Sequence, residues 1–260
     1  MLKYSSTWEC FADWYINLGG FVIDERSNHF GWVTELGLLD IIDCGLDVKY
    51  SFIDWKKNGK NSFGKHNPIG QKFRNSQITM IYHFDPEMLC CHPMKLYGAF
   101  LYNHAAKKFK TGCDWHCHGG DSKDPEPQGD EKEHGSHGSH GSDDCDKHDK
   151  KASAWYVGLR IGEVVECGDW AFDLQYQYVQ AQAVPDGDVN GIGRGNVQDE
   201  RLTSHGRGNA NYKGWRAEFL YGITDNLSVD TTFETSREIN REIGGKHHYS
   251  KFQMEAIYAF

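Results

Sequence analysis

Trp170-Ala171-Phe172-Asp173-Leu174-Gln175-Tyr176-Gln177-Tyr178 decides the fold. Trp170, Phe172, Leu174, Tyr176 and Tyr178 take alternate positions, and Ala171, Asp173, Gln175 and Gln177 take those between. Successive side chains of a strand point to opposite faces, so this stretch reads as a strand with one apolar and one polar face. Upstream, Glu166-Cys167-Gly168-Asp169 turns it back onto Trp155, Val157, Leu159 and Ile161, which alternate with Tyr156, Gly158 and Arg160.

The same period recurs in both directions. Toward the C-terminus, Trp215, Ala217, Phe219 and Tyr221 alternate with Arg216, Glu218 and Leu220. After the turn Thr224-Asp225-Asn226, Leu227, Val229, Thr231 and Phe233 alternate with Ser228, Asp230, Thr232 and Glu234. The last run sets Phe252, Met254, Ala256, Tyr258 and Phe260 against Gln253, Glu255 and Ile257. Toward the N-terminus strands are expected near 78–84, 94–103, 46–52, 30–38 and 8–15, although Leu96, Phe100 and Asn103 also fit helical spacing. About ten strands result, and Trp170, Phe172, Leu174, Phe219, Phe233, Phe252 and Met254 share the expected apolar face.

The connections alternate in length. Short ones fall near 39–43, 85–93, 165–169 and 224–226, and long ones near 18–29, 56–73, 105–151, 181–211 and 237–247. Outer-membrane barrels have short periplasmic turns and long external loops, and ten strands would put both chain ends on the short side. The expectation is an all-β, antiparallel transmembrane β-barrel, by itself or as part of a larger one. Residues 1–260 would form one domain, with an external low-complexity loop at 105–151.

Composition agrees with this and excludes other classes. In 260 residues, 38% hydrophobic, no stretch nears the roughly 18 consecutive apolar residues of a membrane helix, whereas a barrel needs apolar residues only at alternate positions. Thirteen Tyr, fourteen Phe and eight Trp suit aromatic belts at two membrane interfaces. A net charge of −9 with no basic patch argues against nucleic acid as a partner. The start Met1-Leu2-Lys3-Tyr4 runs into Glu9 and Asp13 without the apolar core of an export signal, so this start is expected to be mature, truncated or misassigned.

The C-terminal run, with Phe260, Tyr258, Met254 and Phe252, resembles the assembly signal of outer-membrane barrels. Gly168 to Phe172, Gln175 to Ala181, Ala183 to Asp186 and Tyr221 to Leu227 are similar to a porin family of Gram-negative bacteria, over about the last hundred residues. That resemblance implies an outer-membrane location, the barrel-assembly machinery and membrane lipids as partners, and passive diffusion of small hydrophilic solutes or ions. The Cys/His-rich insert lies outside the family pattern, and members of the family are larger barrels made with a signal peptide.

Two constellations of residues carry chemistry. Asp47, Lys49, Arg160, Asp173, Gln175, Gln177, Arg216, Glu218, Asp230, Glu234, Lys251 and Glu255, with Glu35, fall on the polar face and would line a lumen. They form either a cross-strand network that holds the wall or a selectivity filter, whose acidic excess favours cations. The second constellation is Cys113, His116, Cys117, His118, His134, His137 and His140, beside a threefold His-Gly-Ser repeat. Imidazole and thiolate suit zinc or another transition metal, but the glycine- and serine-rich setting suits a solvated loop, so binding there is expected to be weak. Eight cysteines are open to disulfide pairing or to metal ligation. No Gly-x-Ser-x-Gly elbow, phosphate loop or His-Glu-x-x-His helix is present, and Ser204 beside His205 lies in a glycine-rich stretch, so no enzyme is expected. The leading expectation is a porin-like channel without a cofactor. The alternative is a non-conducting surface barrel whose Cys/His-rich loop binds divalent metal or mediates adhesion. A soluble secreted metal-binding β-protein is third.

Overall fold

The computed structural model describes residues 1–24, 29–56, 73–85, 92–106, 109–110, 148–149, 151–184, 210–239 and 248–259. The chain divides into two units, residues 1–106 with 151–260, and residues 107–150. In the second, Phe109–Lys110 pairs antiparallel with His148–Asp149. The Cys/His residues singled out above, and Phe260, lie outside the described residues.

The first unit is all-β: eleven strands in one antiparallel sheet, each hydrogen-bonded to its neighbours in chain order. They are β1 (Leu2–Trp8), β2 (Ala12–Asp24), β3 (His29–Leu39), β4 (Leu46–Lys56), β5 (Phe73–His83), β6 (Met94–Asn103), β7 (Ser153–Gly162), β8 (Trp170–Val179), β9 (Tyr212–Thr224), β10 (Leu227–Glu238) and β11 (His248–Tyr258). The region with helical spacing, 94–103, is a strand, since both its neighbours hold it in continuous register. Among the described residues no pairing joins β1 to β11.

Two expectations are corrected. The stretch 8–15 is two strands rather than one, folded at Glu9-Cys10-Phe11, where Cys10 takes a left-handed φ of 63° and the Phe11 amide donates to the Trp8 carbonyl at 2.9 Å. Eleven strands therefore replace ten, and Leu2 and Tyr258 lie at opposite ends of the sheet. The expected long loop at 18–29 shrinks to residues 25–28, because β2 continues through Gly19-Gly20 to Asp24. With these changes successive connections still alternate between the two ends, but the division by length is broken at 25–28, which is shorter than 84–93 at the other end. One end carries 9–11, 40–45, 84–93, 163–169 and 225–226; the other carries 25–28, 57–72, 104–152, 180–211 and 239–247.

Register aligns the alternation of every strand. Reading across from β11 to β4, one row runs Phe252, Phe233, Ala217, Leu174, Leu159, Leu96, Tyr82, Leu46. The next row runs Lys251, Glu234, Arg216, Gln175, Gly158, Tyr97, Ile81, Asp47 and faces the opposite way. A one-residue slip in any strand would exchange the two faces locally, which pins the register. On the apolar face Phe252, Met254, Phe233 and Phe219 stay 65%, 64%, 47% and 44% exposed. The compact apolar core is small and lies on the other face, where Ala154, Val179, Ala183, Ala210 and Tyr212 pack with Leu101 and Val184.

Candidate functional site

The polar face gathers every residue expected to line a lumen, from Asp47 and Lys49 on β4 to Lys251 and Glu255 on β11. The residues expected to face lipid, Trp170, Phe172, Leu174, Phe219, Phe233, Phe252 and Met254, lie together on the opposite face. Tyr258 of the expected assembly signal shares that face with Phe252 and Met254.

On the apolar face Met80, Leu96, Val157, Leu159, Leu174 and Phe219 are aliphatic or phenyl groups. Toward the short-link end Trp170 pairs with Tyr221, and Tyr82 makes an edge contact with Phe84 at 4.8 Å. Toward the long-link end Trp155 stacks on Tyr178 at 5.8 Å and Tyr176 meets Trp215 at 4.8 Å. Aromatic rings and aliphatic side chains thus share this face. Strands β3 to β11 have 10 to 13 residues, and roughly 9–11 cross a bilayer when tilted.

Two hydrogen-bonded centres organise the polar face. Glu35 accepts from the Tyr15 hydroxyl at 2.9 Å, the Asn17 amide at 3.2 Å and the Ser51 hydroxyl at 3.1 Å, so neighbouring strands supply three donors to one carboxylate. The second centre is Arg216, which spans Glu218 at 2.7 Å and Glu234 at 3.4 Å. The Glu234 side chain is 4% exposed, and its Oε2 has no hydrogen-bond partner among the described residues. Close by, the Tyr97 hydroxyl donates to Asp173 at 2.5 Å across the intervening β7. Gly158 makes that reach possible: a Cβ there would sit 2.4 Å from the Tyr97 ring, so any side chain would displace it. These centres link neighbouring strands across the polar face. Charge is unevenly spread: on β8 to β11 Asp173, Glu218, Asp230, Glu234 and Glu255 outnumber Arg216 and Lys251, while on β4 to β7 Lys49, His83, Lys95 and Arg160 outnumber Asp47.

Sequence reasoning missed a strap. Gln180 to Val184, the start of the 180–211 connection, folds over the polar face instead of projecting from the end of the sheet. Ala181, Gln182 and Ala183 are 1%, 4% and 0% exposed. Asn103 on β6 donates to the Gln182 carbonyl at 2.8 Å and Asn75 on β5 to the Ala183 carbonyl at 3.2 Å, while the Gln182 amide donates to the Lys151 carbonyl at 2.7 Å. The strap thereby spans from β8 to β5. Beneath it is a cavity of about 270 Å³, lined by Gln77, Leu101, Tyr156, Gln177, Val184 and Tyr212 among others. The available signal was the small apolar run Ala181-Gln182-Ala183-Val184, out of keeping with a solvated loop.

The short-link end is held by turn chemistry. Asp169 accepts the amides of Glu166 at 2.7 Å and Val165 at 3.0 Å, and these two donors hold its carboxyl below the usual carboxylate range. Cys167 ties this turn to its neighbour, its amide donating to Asp225 at 3.2 Å. Among the described residues no group of three or more His, Cys, Asp or Glu is placed to hold a metal ion. Among the described residues no helix is long and apolar enough to cross a membrane. Neither a family model nor a curated protein matches the chain.

Proposed function

We propose that this chain forms the wall of a porin-type outer-membrane β-barrel that admits small hydrophilic solutes or ions by diffusion, without a cofactor or a catalytic step. The observation that carries this reading is the pair of faces: one register row of eight apolar residues beside one of mostly polar and charged residues, with the large hydrophobics left exposed. An apolar surface running the width of eight strands suits lipid rather than water, and the polar face suits a water-filled interior. Lipid tolerates no unpaired strand edge, so the edges of β1 and β11 require partners there. These two strands run in the same direction, so pairing them directly would make one parallel seam in an otherwise antiparallel wall. Bacterial barrels have even strand counts, and an odd number of further strands would close this one without such a seam.

The test is refolding of the whole chain from urea into detergent, followed by insertion into a planar bilayer. Stepwise conductance and a band that migrates differently before and after boiling are expected. A protein that stays monomeric in plain buffer without detergent would overturn the membrane reading. The strap over the polar face favours a second reading, a non-conducting surface barrel whose Cys/His-rich segment binds divalent metal or mediates adhesion. Bilayer insertion without current would select it.

A further inference from the structure

Lys95 on β6 and Arg160 on β7 are direct cross-strand partners on the polar face, and His83 on β5 is the partner of Lys95 on its other side. Like charges placed directly opposite one another destabilise a sheet unless something lies between them. The carboxylates that could relieve this row are engaged elsewhere. Asp173 is the register partner of Arg160 on β8, yet it takes the Tyr97 hydroxyl at 2.5 Å, and among the described residues it makes no ion pair with Arg160. Asp47 stands 3.4 Å from the His83 ring. Lys95 and Arg160, both half-buried, have no ion-pair partner among the described residues. They line one cavity of about 270 Å³, together with His83, Pro93, Met94, Gly162 and, exposed at its rim, Glu163.

We propose that Lys95 and Arg160, flanked by His83, form a binding site for a small oxyanion, a phosphate or carboxylate group of a solute, at the short-link end of the polar face. An arginine fork matches the paired oxygens of such a group, and a lysine ammonium adds a point charge from the facing strand. The placement on the polar face sets the site apart from lipid headgroups on the apolar face. It deepens the channel reading: the wall holds a local cationic station beside an acidic one, so solutes carrying an anionic group would pause there. That role in transport rests on the proposed channel, whereas the binding itself does not.

Calorimetry of inorganic phosphate with the full chain refolded in detergent, at low ionic strength, tests the site. Arg160→Gln and Lys95→Gln should each weaken binding about tenfold, the equivalent of one lost charge-assisted contact. Lys95→Arg should retain binding, and Lys3→Gln, which removes a cation of the same face on β1, should leave it unchanged. Circular dichroism and heat-modified migration establish that each variant is folded. Phosphate binding unaltered in the Lys95→Gln/Arg160→Gln double variant would overturn the site, and so would equal weakening by Lys3→Gln, which would mark general charge attraction. Bilayer current read on the same samples separates the two ideas. Binding without current removes the channel and keeps the site, and current without phosphate binding does the reverse.

Discussion

Arg216 holds two carboxylates on the polar face, one of them nearly closed off from solvent. Its pairing with Glu218 is partly exposed, and exposed ion pairs contribute little, about 0–1 kcal/mol. The pairing with Glu234 matters more, because among the described residues Oε2 of that carboxylate has no hydrogen-bond partner and Arg216 is the cation beside Oε1. Arg216→Ala is therefore expected to destabilise the folded state by about 1–3 kcal/mol, the cost of an unsatisfied buried acceptor. Adding Glu234→Gln should recover part of that loss, since a neutral amide needs no cation. Urea midpoints of the single and double variants, measured in detergent, check this; no recovery would show that Arg216 acts through packing alone. The sequence showed that Arg216, Glu218 and Glu234 share a face, because strand alternation is a local property. It did not show that Tyr97 would reach Asp173, since that contact depends on Gly158 opening the strand between them, a fact of three-strand register.

Among the elements, the strap at Gln180 to Val184 does what the sequence pattern did not announce. Its carbonyls are held by Asn75 and Asn103, 2% and 1% exposed, on strands distant in sequence. No periodicity links residues about eighty positions apart, whereas the alternation of Trp170 to Tyr178 is complete within a few residues. The same contrast explains the hairpin at Glu9 to Phe11, which carries no Gly, Pro, Asn or Asp and turns on a left-handed Cys10. Asn103→Ala removes the donor to Gln182 and the acceptor for the Arg74 and Ala105 amides. A cost of about 1–3 kcal/mol is expected. Under the proposed channel function, loosening of the strap should also raise single-channel conductance relative to the parent. A variant that loses stability with conductance unchanged would show that the strap braces the wall without narrowing the path.

For the whole molecule, the separation of connections by end gives an orientation that can be read directly. Three cysteines, Cys10, Cys44 and Cys167, are exposed free thiols in connections at the short-link end. Cys113, Cys117 and Cys145 belong in sequence to the 104–152 connection and lie outside the described residues. In an outer-membrane barrel the short turns face the periplasm and the long connections face outward. A maleimide carried on a polymer too wide for the lumen, applied to intact reduced cells, should therefore modify the peptide containing Cys113 and Cys117. It should spare those containing Cys10, Cys44 and Cys167, and permeabilised cells should show all of them modified. The thiols are native, so the readout needs no substitution and leaves assembly undisturbed. Because the 104–152 connection leaves β6 and enters β7 at the end opposite Cys10, Cys44 and Cys167, the expected labelling depends on the wall crossing a membrane and on nothing about conduction. Equal modification of both sets in intact cells would mean that no bilayer separates the two ends, and the apolar face would then need a partner other than lipid.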